Sequence, residues 1–233
     1  MFPYIQLRRS ARPFILLVAS LFMTTAKAQQ NGPALSNYFD QPTATPAAPD
    51  ADGFIRRWLL LEPIDKPNRS NIVFTDSYLR EAFAQEYFKG QMTAKPRDGQ
   101  TVKAGNQKLV WHALDSKNYN VKLFRFASGL DKQLYGVLFW AYTVIDCPEE
   151  LTNVRMAVGS NSASMWWLNG EEALLLSGDR RMVRDDCTSD RLTLHKGRNI
   201  LRGAVINGPG MSDFCVRFVD EAGSPVTGFT TQF

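Results

Sequence analysis

The residues able to do covalent chemistry are few. His112 and His195 are the two histidines of the chain, and either can serve as general base to a serine nucleophile, which also needs a sharp turn and oxyanion donors. No Gly-x-Ser-x-Gly occurs, and Ser177-Gly178-Asp179-Arg180 carries Arg where a Gly-Asp-Ser hydrolase has its nucleophile. His112 falls in the strand-like Leu109-Val110-Trp111-His112, and His195 beside the turn Lys196-Gly197, where a solvated ring is expected. The carboxylate pairs Glu149-Glu150, Glu171-Glu172 and Asp185-Asp186 are sequence neighbours. On a strand such neighbours point to opposite faces, whereas glycosidic cleavage needs two carboxyls across one cleft. No catalytic residue is assigned. Asp179, Asp185, Asp186 and Asp190 offer oxygens to a structural calcium, without a ligand loop of recognisable spacing; no other cofactor is implied.

Binding chemistry is better represented. Three polar loops adjoin strand ends and supply donors and acceptors suited to sugar hydroxyls: 159–164 with Asn161 and Ser162, 179–181 with Arg180 and Arg181, and 207–213 with Asn207 and Met211. Arg180 or Arg181 can grip an acidic sugar through two parallel hydrogen bonds.

The elements that must position these loops are short strands. Val154, Met156 and Val158 alternate with Arg155 and Ala157, the period of a strand buried on one face. Tyr119, Val121 and Leu123 alternate too, and the phase then slips to Phe124 and Phe126, which predicts a bulge or a change of sheet. The apolar run 134–145 predicts a central strand; 200–206 and 214–218 add two more. Asn169-Gly170 between 165–168 and 173–176 predicts a type I′ hairpin, because both residues tolerate positive φ. Lys196-Gly197 predicts a second tight turn. One helix is expected, capped by Thr75 or Asp76, striped by Tyr78, Leu79, Ala82, Phe83 and Tyr87, and stopped at Gly90. Many strands with one helix predict an antiparallel β-sandwich.

The chain has 233 residues and a formal charge of +4, from 27 Lys plus Arg against 23 Asp plus Glu. Arg8, Arg9, Arg12 and Lys27 all lie in the first 28 residues, which hold no acid. Removing these four basic residues leaves 23 of each sign, so the excess belongs to the N-terminus. Those arginines, the apolar run 14–23 and Ala26-Lys27-Ala28 read as an export signal cleaved after Ala28, giving a periplasmic or secreted protein. The run is about half of the roughly 20 residues that span a bilayer. A proline-bearing stretch, 29–52, reads as a flexible linker, leaving 53–233 as one domain. With no net charge over 29–233 as a whole, bulk electrostatics give no pull toward nucleic acid or anionic lipid, and an uncharged glycan suits the surface better.

Trp166-Trp167-Leu168-Asn169-Gly170-Glu171, followed by Leu192-Thr193-Leu194-His195-Lys196-Gly197-Arg198-Asn199-Ile200-Leu201, resembles the galactose-binding-like jelly roll. The likeness is best over 134–226, and 53–111 resembles longer segments of this kind that accompany bacterial acetylxylan esterases and family 2 glycoside hydrolases. The resemblance implies a jelly-roll sandwich that binds or positions sugar chains beside a polysaccharide-degrading enzyme. It places Trp166 and Leu168 in the core, which turns Trp167 to the other face as a candidate sugar-stacking ring. It also makes the 192–194 strand the neighbour of the strand ending at Cys147, which favours a Cys147–Cys187 disulfide and leaves Cys215 free. The expectation is a non-catalytic carbohydrate-binding module. Its rivals are an acetylxylan esterase or glycoside hydrolase, and a protein–protein module without sugar binding.

Overall fold

Alternating apolar residues build a three-layer sandwich in the computed structural model, which describes residues 35–233. The expected export signal and the beginning of the expected linker lie outside the described residues. The elements in chain order are β1 (Phe39–Asp40), β2 (Arg57–Leu61), β3 (Ile64–Asp65), α1 (Asp76–Ala84), β4 (Thr101–Ala104), β5 (Gln107–Ser116) and α2 (Leu123–Gly129). Then come β6 (Val137–Cys147), β7 (Leu151–Ser160), β8 (Ala163–Leu168), β9 (Glu171–Leu176) and β10 (Cys187–Thr188). β11 (Leu192–Leu194), β12 (Gly197–Asn207), β13 (Phe214–Val219) and β14 (Thr230–Gln232) complete the chain.

A ten-stranded sheet runs β1-β5-β2-β6-β12-β8-β9, with β3 and β14 also on β6 and β4 on β5. The smaller sheet centres on β7, which pairs with β13, β10 and β11. All of these pairings are antiparallel. β6 and β12 match along their full lengths, from Val137↔Asn207 to Cys147↔Gly197.

The inner core lies between the sheets, where Trp58, Phe139, Trp166 and Val205 meet Met156, Val158, Val216 and Phe218. A second core covers the opposite face of the large sheet, where Phe74, Leu79, Phe83 and Phe88 pack on Leu59, Trp111, Trp140 and Trp167. The large sheet is thus buried on both faces, which explains why β8 has all six residues buried rather than an alternating pattern.

The middle of β12 is built for this. Gly203 and Ala204 are consecutive small residues facing opposite ways. On the inner face, a Cβ at Gly203 would lie 2.3 Å from Cζ3 of Trp166, so the indole needs the glycine. On the outer face, Ala204 stands between Trp140 and Met165. Above that face the rings of Trp140 and Trp167 stack with centroids 5.5 Å apart and 16° between planes.

The Asn169-Gly170 hairpin forms as expected, with φ of 54° and 92°. The structure revises other expectations. α1 is capped by Thr75, whose Oγ1 accepts from the Tyr78 N–H, but it ends at Ala84 rather than at Gly90. The phase slip after Leu123 marks a second helix, α2, which buries Leu123, Phe126 and Ala127 at helical spacing. Within 29–52, the described part is not a loose linker: Phe39 is buried, β1 pairs with β5, and Ala47 bridges to Thr231. β11 pairs with β7 rather than with β6. Cys147 therefore ends a strand of the large sheet while Cys187 pairs opposite Val158 in the small one, and all three cysteines are free thiols. Burial pushes the Cys147 and Cys215 thiols up to about 11.

Candidate functional site

The sequence-predicted loops do come together, at the Asn207 end of β12. The N–H of Asn161 donates to the Asp213 carbonyl and that of Ser162 to the Arg180 carbonyl, at 2.8 and 3.3 Å. Most of their polar groups are consumed by one another. Ser162 Oγ donates to the Ile206 carbonyl, and the Arg180 guanidinium closes on Asp186 and the Ser177 carbonyl. Asn207 is fully buried and its Nδ2 donates to the carbonyls of Leu134 and Gly210. Arg181 and Met211 reach solvent. Trp167 is only 7% exposed. With Trp140 stacked on it and Phe83 edge-on at 6.1 Å, it offers no open platform to a sugar ring. The candidate calcium oxygens are likewise dispersed: Asp179 accepts from Asn71, Asp186 from Arg180, and Asp185 from Arg217.

Neither histidine faces a hydroxyl nucleophile in its hydrogen bonds. His112 Nε2 lies 3.3 Å from Glu62 Oε1, its ring meets Phe126 edge-on, and Glu62 also takes Lys132. His195 is exposed and pairs with Glu150 at 3.2 Å.

A different site emerges on the outer face of the large sheet, where the segment 88–100 crosses β6 and β12. An open groove of about 400 Å³ is lined by Lys95, Pro96, Arg97, Tyr142, Val144, Arg198, Ile200 and Phe233. Pro96 and Tyr142 also line a narrow recess of about 20 Å³, room for one water-sized group, that reaches Trp111, Trp140 and Arg202. Register explains the assembly: Arg198 and Ile200 of β12 point outward alternately with the buried Asn199 and Leu201, and Arg202 stands directly across from Tyr142.

Arg202 is 5% exposed. It lies 5.2 Å from the Tyr142 ring centroid and spends one donor, Nη2, on the Ala94 carbonyl at 2.8 Å. Burial lowers its pKa, with Tyr142 acting the other way. The Tyr142 phenol is pushed up by burial and pulled back by Arg202 and then Arg198. Trp140 Nε1 is buried with no hydrogen-bond partner among the described residues. Phe233 is 38% exposed and forms one wall of the groove. Sequence reasoning missed this site because its basic residues come from two segments about a hundred positions apart. The one signal was Arg198 and Arg202 alternating with apolar residues on a strand that is otherwise buried.

No protein-family model matches the chain, and no curated protein matches it in sequence. Among solved structures it is similar to the PA14 domain of the antifreeze protein MpAFP, at 10% identity and a TM-score of 0.40, covering 83% of this chain and 95% of that one. It is also similar to the PA14 sugar-binding domain from an RTX adhesin, at 9% identity and a TM-score of 0.40, covering 75% and 96% respectively. The overlaps are too loose for residues to be matched between the chains.

Proposed function

We propose that this protein is a non-catalytic carbohydrate-binding module, exported through its first 28 residues and acting beside polysaccharide-degrading enzymes. The observation that carries the reading is the groove over β6 and β12, which combines an exposed aromatic wall, Phe233, with an apolar floor of Val144 and Ile200 and several free donors. Pyranose rings present apolar faces that pack on such aromatic surfaces, while their hydroxyls and substituents need donors around the rim. The motif resemblance to galactose-binding-like modules beside acetylxylan esterases and family 2 glycoside hydrolases supports the same class. Among the described residues no helix is long and apolar enough to cross a membrane.

The test is a glycan array followed by titration calorimetry with the purified protein. Binding to at least one oligosaccharide, weakened by Phe233→Ala, is the expected result. An array without a single bound glycan overturns the reading. Hydrolysis of a chromogenic acetate that disappears in His112→Ala would replace it with an esterase.

A further inference from the structure

From the same groove, and resting on the carbohydrate-binding reading, we infer that the ligand is an acidic glycan whose carboxylate or sulfate groups are gripped by Arg202 and by the cations at the mouth. The first argument is the treatment of buried guanidinium groups. Arg57 and Arg217, 4% and 8% exposed, each hold a carboxylate through two hydrogen bonds, with Asp115 at 2.8 and 2.7 Å and with Asp185 at 3.0 and 2.6 Å. Arg202 is as deeply buried and has no acid at all. Its charge meets only the Ala94 carbonyl and the face of the Tyr142 ring, weaker partners than the carboxylates of the other two arginines. The geometry a guanidinium completes best is a two-pronged contact with a planar anion.

The second argument is the lining. Lys95, Arg97 and Arg198 line the groove, Lys89 and Arg202 line the recess, and no Asp or Glu lines either. Among the described residues, Lys95, Arg97 and Arg198 have no ion pair. The nearby acids hydrogen-bond to neutral donors and form no ion pair with these cations: Asp146, across the sheet from Arg198, accepts from Gln232 Nε2 at 2.8 Å, and Asp98 accepts from the Ala113 N–H at 2.8 Å. Cations without an ion pair, walled by apolar side chains, favour an anionic ligand over a neutral sugar. Residues 29–233 are formally neutral, so this positive character is local and was invisible in the overall charge.

The orphaned indole N–H of Trp140 adds a third donor in the recess that Arg202 lines, and again no acceptor. A recess whose free polar atoms are donors selects a ligand rich in acceptors. A uronate or sulfated sugar supplies them, with its ring face left to Phe233.

The experiment compares one polymer in two charge states. Oligogalacturonate and its full methyl ester are titrated calorimetrically into the protein at low and at moderate salt, beside neutral xylan and a single-stranded oligonucleotide. The acid form should bind about tenfold or more tightly than its ester, since one charge-assisted contact accounts for roughly a factor of ten. Its affinity should fall on raising the salt, because the mouth cations are exposed. Arg198→Gln, on the surface and without a fold role, should weaken the acid form several-fold, and more than it weakens the ester. Arg202→Gln should do so more strongly, with unchanged thermal unfolding as the control on folding. Equal binding of acid and ester, or of oligonucleotide and oligogalacturonate, overturns the inference. If neutral xylan binds and the acid form does not, carbohydrate binding stands and this inference falls. If no sugar binds here or on the array, both fall.

Discussion

Replacing Gly203 with alanine tests whether the inner core depends on one missing methyl group. The new Cβ would sit 2.3 Å from Cζ3, 2.6 Å from Cε3 and 2.7 Å from Cη2 of Trp166, all well inside van der Waals contact. The ring cannot slide aside freely. It meets Trp58 and Phe214 edge-on at 5.9 and 5.0 Å, and its Nε1 donates to Ser164 Oγ at 3.0 Å. Overpacking of this kind costs about 1–3 kcal/mol. Ala is better than Gly in a strand by about 0.5–1 kcal/mol, which offsets part of that. Since three ring atoms clash at once, the upper half of the range applies, and Gly203→Ala should lose about 2 kcal/mol. Equilibrium urea unfolding followed by far-ultraviolet circular dichroism measures it. The cause is isolated by a double-mutant cycle with Trp166→Leu, which removes the clashing ring at a cost of its own of about 3 kcal/mol. In that background Gly203→Ala should be neutral or slightly stabilising. A Gly203→Ala loss of equal size in both backgrounds would refute the steric account, and so would a stabilising effect in the native background.

Three further outcomes follow from other parts of the molecule. Asn199 is fully buried and its side chain ties His195, Gly197 and Asn169 together, so Asn199→Ala should destabilise by about 2–4 kcal/mol in chemical denaturation, each severed bond stranding a partner. Burial raises the Asp213 carboxyl above its ordinary range, opposed by Lys122 at 2.8 Å. A raised folded-state pKa means that this group contributes most to stability below its unfolded value, with the contribution lost as pH rises through the folded value. Lys122→Met strands the carboxylate and should cost about 3 kcal/mol at pH 7, shrinking toward pH 4 as Asp213 takes up a proton; a pH-independent loss in urea titrations would count against it. In the native protein iodoacetamide should label Cys187 first, because Cys147 and Cys215 are buried and their thiols are pushed up to about 11; intact-mass analysis before and after reduction should show no bond to reduce.

Much of the sandwich could be read from local signals. The long apolar run became β6, the alternation around Met156 became β7, and the Asn-Gly pair made its turn, because each depends on a few adjacent residues. Assigning Trp166 and Leu168 to one face and Met165 and Trp167 to the other was also correct. What covers the second face was not legible, since it is supplied by Phe74, Leu79, Phe83 and Phe88, some eighty residues upstream. α2 was hidden because Val121 and Leu123 continue an alternation into residues that then bury at helical spacing. The disulfide failed on a strand-neighbour inference: the tight turn at Lys196-Gly197 joins strands of different sheets, which no local pattern reveals. The groove failed for a related reason. Its cations are ordinary surface residues in the sequence, and only the β12 register and the crossing segment make them a site.

The stacked pair Trp140–Trp167 has a spectroscopic consequence. Two indoles nearly parallel at 5.5 Å couple their electronic transitions, so the protein should carry an exciton couplet in its circular dichroism that belongs to tertiary structure rather than to strands or helices. Phe83 of α1 and Phe88 of the following segment pack edge-on against Trp167 and Trp140 respectively. The contribution of this pair therefore reports on the outer layer, and it is separated from that of the inner pair Trp58–Trp166, 5.9 Å apart, by comparison with Trp166→Leu. It distinguishes lifting of that layer from unfolding of the sandwich beneath it, which tryptophan emission summed over the whole chain would blur.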